Sequence, residues 1–118
     1  YLVLDEPTAG LDAEGRRQLV SLMSGLRRRE GRTLVFVSHR LQEVAAVCER
    51  IAVLVEGRLS ALDTPRELLK KSALLENAGL EIPEVNQIMR DLSRCIPGLD
   101  EPVLSAAEAA DKIVQVIR

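Results

Sequence analysis

The sequence predicts an α/β fold: half of a doubly wound parallel sheet over residues 1–71, then a small all-helical extension over residues 72–118. Three observations carry this. Two short apolar runs, YLVL at 1–4 and TLVFVS at 33–38, suit parallel strands buried on both faces. The stretch between them has the spacing of one amphipathic helix, the crossover that a parallel pair requires. From Lys70 onward the strand-like runs stop and only helical spacing remains.

The elements follow in order. YLVL runs into Asp5, Glu6 and the turn-forming PTAG. Asp12 suits an N-cap, and Glu14 puts negative charge in the first turn, where the helix dipole favours it. Leu19, Leu22, Met23 and Leu26 recur at helical spacing and predict one buried face. That helix is expected to end near Gly31, with Arg27, Arg28 and Arg29 in its last turn and the RRRE run as a solvated helix end. TLVFVS delivers His39. Leu41, Val44, Ala45 and Cys48 then predict the apolar side of a second, shorter helix. RIAVLV at 50–55 is a third strand, and Glu56-Gly57 turns it into RLSALD as a hairpin. Thr64, Pro65 and Glu67 mark a helix start: a cap, a first-position proline and a capping box. Behind Pro83, Val85, Ile88, Met89 and Leu92 form one stripe. Ser105 and Glu108 form a second capping box ahead of Ala109, Ala110, Ile113, Val114 and Ile117. The extension is too short to bury a strong core by itself, and is expected to pack on the first half or on a second copy.

Composition narrows the partners. The chain has 118 residues, 47% hydrophobic and 29% charged, which is globular rather than disordered. A net charge of −2 and 2% aromatics give no basis for a nucleic-acid surface, so no nucleic-acid partner is expected. Cys48 and Cys95 have neither metal-site nor disulfide spacing and read as inert filling in a reducing compartment. No apolar run approaches the roughly 20 residues that span a bilayer. The chain is expected to be soluble, with any membrane role depending on a partner.

In open α/β sheets, ligands bind at the carboxyl ends of the strands. Asp5 and Glu6 stand at one such end and His39 at another, so pairing of the two strands as neighbours would bring them to one edge. Adjacent carboxylates can divide labour. One holds Mg²⁺ directly or through water, and the other positions or deprotonates an attacking water. A histidine beside them can hydrogen-bond a phosphate oxygen. Such parts serve phosphoryl transfer, in which positioning and charge stabilisation dominate. Taken singly, Asp-Glu after an apolar run is also a plain solvated strand end, and a lone histidine is more often structural. Pro7, Gly10, Asp12 and the placement of His39 favour the chemical reading.

YLVLDEPTAGLD resembles the Walker B strand and D-loop of ATP-binding-cassette (ABC) ATPases, members of the P-loop NTPase fold. LVFVSHR resembles their switch strand and H-loop, and ERIAVLVEGRLSALDTPREL the strand, hairpin and helix that close their nucleotide-binding domain. The resemblance covers roughly residues 1–70 and keeps order and spacing. It implies ATP and Mg²⁺ as ligands. Asp5 would be the Mg²⁺-associated aspartate, its contact with the ion made through water; Glu6 would polarise the hydrolytic water, and His39 would contact the γ-phosphate. Gly10 and Asp12 would belong to the D-loop that reaches across a dimer. The tail, with GLEIP, an amphipathic helix and a late S-x-x-E-A helix start, is similar to the C-terminal extension of energy-coupling-factor transporter ATPases, which import vitamins or metal ions such as cobalt and nickel.

The resemblance implies a second ATPase subunit, identical or different, integral membrane transporter subunits as partners, and a peripheral location on the cytoplasmic face of the cell membrane. No G-x-x-x-x-G-K-[ST] phosphate loop occurs in the chain, and the glutamine loop and LSGGQ-type signature would lie upstream of Tyr1. The chain is therefore expected to be the C-terminal part of a longer ATPase, inactive alone and poorly soluble through an unpaired apolar strand edge. Two alternatives remain: a soluble, non-transport ABC ATPase acting on DNA or ribosomes, and a non-catalytic dimerisation module.

Overall fold

The computed structural model describes residues 1–29 and 31–118; Glu30, the last residue of the RRRE run, lies outside the described residues. The elements are β1 (Leu2–Asp5), α1 (Ala13–Arg27), β2 (Leu34–Val37), α2 (Leu41–Val47), β3 (Ile51–Val55), β4 (Arg58–Asp63), α3 (Pro65–Lys70), α4 (Ser72–Asn77), α5 (Glu84–Ser93) and α6 (Ala106–Ile117). The class is the mixed α/β predicted, with a helical end.

β1 and β2 pair in parallel, Leu2 opposite Leu34 and Asp5 opposite Val37, with α1 as the connection. β3 and β4 form a separate antiparallel hairpin. Glu56 and Gly57 both have positive φ, 48° and 75°, the handedness that matches the twist of a two-residue hairpin. The third strand thus does not extend the parallel sheet: among the described residues, β3 is hydrogen-bonded only to β4.

The sheet is also not buried on both faces. Leu4, Leu34 and Phe36 join one core with Leu19, Val20 and Met23 of α1 and Leu41, Val44 and Val47 of α2. On the opposite face Val3, Val35 and Val37 are exposed, because no described element covers them. Within α1, Leu22 leaves the expected face and is exposed, whereas Val20 packs inward. The helix ends earlier than expected: Arg27 occupies the last turn, Arg28 is the C-cap and Arg29 lies beyond it. Cys48 is the C-cap of α2 and packs against the same core, and burial pushes its thiol pKa up, which keeps it a weak nucleophile.

The first core continues through Leu68, Leu69, Leu75 and Ile82. A second, smaller core gathers Met89, Leu99, Val103 and Ala109, with Val85, Leu92, Ile96 and Ile113 against it. Ile88, Val114 and Ile117, which the helical stripes placed inside, are exposed. Polar contacts join these parts. The buried Asn86 amide donates to the Val103 carbonyl at 2.8 Å and accepts from the Val103 nitrogen at 2.9 Å. Arg66 donates to the Pro102 carbonyl and pairs with Glu108 at 2.9 Å, tying α3 to the extension. Each expected capping box is half formed. Thr64 and Ser105 accept from the nitrogens of Glu67 and Glu108. However, the Glu67 carboxylate turns to Lys70, and Glu108 accepts from the Leu104 nitrogen instead of that of its cap.

Candidate functional site

The site lies where β1 and β2 end side by side. Their register sets Asp5 opposite Val37, so Glu6 and His39 emerge from the same edge of the pair. The Glu6 nitrogen continues the ladder by donating to the Val37 carbonyl at 2.8 Å. At Glu6 the backbone leaves the strand with φ of 46°, a left-handed conformation uncommon for a residue with a side chain. The carboxylate crosses to the neighbouring strand end. Its Oε1 accepts from the His39 backbone nitrogen at 3.1 Å and lies 2.9 Å from His39 Nδ1.

That contact fixes the protonation pattern. An ionised carboxylate only accepts, so Nδ1 carries the proton and Nε2 is left for another partner. The imidazole hydrogen bond is the main reason the Glu6 carboxyl pKa falls below the ordinary glutamate value, outweighing partial desolvation, which raises it. His39 is 72% exposed and open to a ligand. Ser38 Oγ accepts from the Arg40 nitrogen and turns the chain from β2 into α2.

Asp5 is exposed at the end of β1. Among the described residues, no group of three or more His, Cys, Asp and Glu side chains is assembled to hold a metal ion. Mg²⁺ commonly sits on one or two carboxylates plus phosphate oxygens and water. Asp5 and Glu6 are the carboxylates at this edge that could serve such an ion.

The loop after Glu6 makes two successive turns, the Ala9 nitrogen bonded to the Glu6 carbonyl and the Leu11 nitrogen to the Thr8 carbonyl. Gly10 has φ of 76° with open space around it, so its conformation, not crowding, calls for glycine. Asp12 caps α1, its Oδ1 accepting from the Gly15 nitrogen at 2.8 Å. A Cβ at Gly15 would lie 3.0 Å from that oxygen, so a side chain there would require the Asp12 carboxylate to shift by a few tenths of an ångström. Gly10 and Asp12 are exposed.

Three residues beside the site were not singled out from the sequence. Thr8 is buried, and its hydroxyl donates to Glu43 Oε2 at 2.6 Å. Glu43 also faces Arg16 at 3.8 Å. The available signal was positional: Glu43 falls four residues after His39, in the first turn of α2.

No family model matches the chain. Among curated proteins it is 36% identical over 117 residues to the energy-coupling factor transporter ATP-binding protein EcfA2 of Acetivibrio thermocellus, covering 99% of this chain and 42% of that protein. It is 37% identical over 116 residues to EcfA2 of Lacticaseibacillus paracasei, covering 98% and 40%. To EcfA1 of Streptococcus pneumoniae it is 35% identical over 116 residues, covering 98% and 42%. The chain thus spans about two fifths of the length of these relatives.

Proposed function

From a chain that matches the C-terminal part of an ABC ATPase of the energy-coupling-factor transporter type, we propose the hydrolytic half of an ATP site, working within a longer protein that powers uptake of a metal ion or vitamin. The observation that carries this is the Glu6–His39 contact at the shared end of two parallel strands.

Each residue has a role in that proposal. Glu6, an ionised carboxylate beside an exposed edge, orients and deprotonates the attacking water. His39, fixed with Nδ1 toward Glu6, directs Nε2 to the terminal phosphate. Asp5 holds Mg²⁺, through water, where the ion neutralises charge on the phosphates. The exposed turn of Gly10 to Asp12 reaches toward a second ATPase subunit. These assignments draw on the resemblance of residues 1–12 and 33–40 to the corresponding family motifs together with the observed geometry.

Residues 72–118 are proposed as the pairing region of two such subunits. Ala110, Val114 and Ile117 lie exposed at helical spacing along α6, which suits a second helix face. Among the described residues, no helix is long and apolar enough to cross a membrane. Attachment at the cytoplasmic face would then come through integral membrane subunits. ATP turnover by the whole protein, compared with its Glu6→Gln variant, tests the proposal.

A further inference from the structure

The loop between Glu6 and α1 has one buried side chain. Thr8 is 2% exposed, whereas Ala9, Gly10, Leu11 and Asp12 all face solvent. Little apolar packing holds this loop, so beside its own turns the contact of the Thr8 hydroxyl bears on its position. That hydroxyl meets Glu43, across 35 residues of sequence, at 2.6 Å.

Glu43 is more than an acceptor for a buried hydroxyl. Its side chain is 12% exposed, and its second oxygen faces Arg16 Nε at 3.8 Å and Arg40 Nε at 4.0 Å. Arg16 in turn donates to the Leu11 carbonyl at 2.8 Å. One carboxylate therefore holds the loop at two points: Thr8 directly, and Leu11 through Arg16. Its place in the first turn of α2 lets the helix dipole favour its charge. That helix begins two residues after His39. The loop ending in Asp12 and the corner carrying the imidazole are thus joined by charge-assisted contacts independent of the Glu6–His39 bond.

We infer that Glu43 is a positioning residue, which through Thr8 and Arg16 fixes the loop of residues 7–12 to the helix following His39, so that the loop and the Glu6–His39 pair keep one geometry. This rests on the ATPase proposal and deepens it. A misplacement of about 1 Å at a reacting group lowers rate about 100-fold without weakening ground-state binding in proportion. The role therefore predicts a loss in kcat rather than in KM.

The experiment compares T8V, T8S, E43Q and the T8V/E43Q pair in the whole protein, with E6Q alongside. T8V and E43Q are expected to lower kcat for ATP hydrolysis about 10- to 100-fold with KM for ATP within about twofold. T8S, which keeps the hydroxyl, recovers most of the rate. The double variant is about as slow as the slower single one, since both remove the same bond. Amide exchange in the whole protein gives a readout independent of turnover: in T8V the Ala9 and Leu11 amides exchange faster. Unchanged kcat in T8V and E43Q while E6Q is inactive overturns the inference and leaves the ATPase proposal standing. Unchanged exchange in a folded T8V chain also overturns it. Full turnover by E6Q instead overturns the ATPase proposal, and the inference with it.

Discussion

Glu6 Oε1 lies 2.9 Å from His39 Nδ1 and 3.1 Å from the His39 backbone nitrogen, so one carboxylate oxygen closes both contacts between two parallel strand ends. The imidazole is the main cause of the lowered Glu6 pKa. His39→Ala should raise that pKa toward the ordinary glutamate value, read by carboxyl-carbon NMR titration. The sign for stability follows: a carboxyl with a depressed folded pKa stabilises the fold above its unfolded pKa, and the contribution is lost as pH falls through the folded value. An unchanged Glu6 titration in His39→Ala would contradict the contact.

Asn86 replaces a missing strand partner for Val103 by meeting both of its backbone groups in a buried setting. Asn86→Ala leaves that nitrogen and carbonyl unpaired and should cost about 2–4 kcal/mol. Denaturant unfolding checks this; a loss within the error of the wild-type midpoint would contradict it.

The Glu108 carboxyl is held below its ordinary pKa chiefly by the Arg66 guanidinium, with help from the Leu104 nitrogen. Glu108→Ala should lower stability at neutral pH by about 1 kcal/mol, given a partly exposed pair. The gap between variant and wild type should narrow as pH falls below the ordinary glutamate range, about 4.3. Thermal melts across that range check the sign, and a gap that widens in acid would contradict it.

The outer face of β1 and β2 leaves Val3, Val35 and Val37 exposed, 65%, 47% and 49%. An apolar two-strand face of this kind is a self-association surface. The isolated chain should scatter light increasingly with concentration, and Val35→Lys should reduce the effect. A monodisperse monomer at high concentration would contradict it.

Much of this was legible in the sequence, for reasons that particular residues show. Capping chemistry is local, so Asp12, Thr64 and Ser105 were readable as helix starts and each caps as expected. Glu56-Gly57 announced the hairpin because few dipeptides tolerate two positive φ angles. Strand order put Glu6 and His39 on one edge once parallel pairing was assumed. Burial was less legible. Helical spacing gives a face, but not the neighbour it meets: Leu22, Ile88 and Val114 fit the stripes and are exposed. Long-range polar pairs were not legible at all. Thr8 with Glu43, and Asn86 with Val103, join positions 35 and 17 residues apart, and nothing local in either partner marks the other.

ATP turnover of the whole protein carrying Glu6→Gln tests the central claim most directly. Gln keeps the size of the side chain and removes the basic carboxylate. The account predicts that kcat falls about 10²- to 10⁴-fold while nucleotide is still bound. Turnover equal to that of the unmodified protein would contradict it.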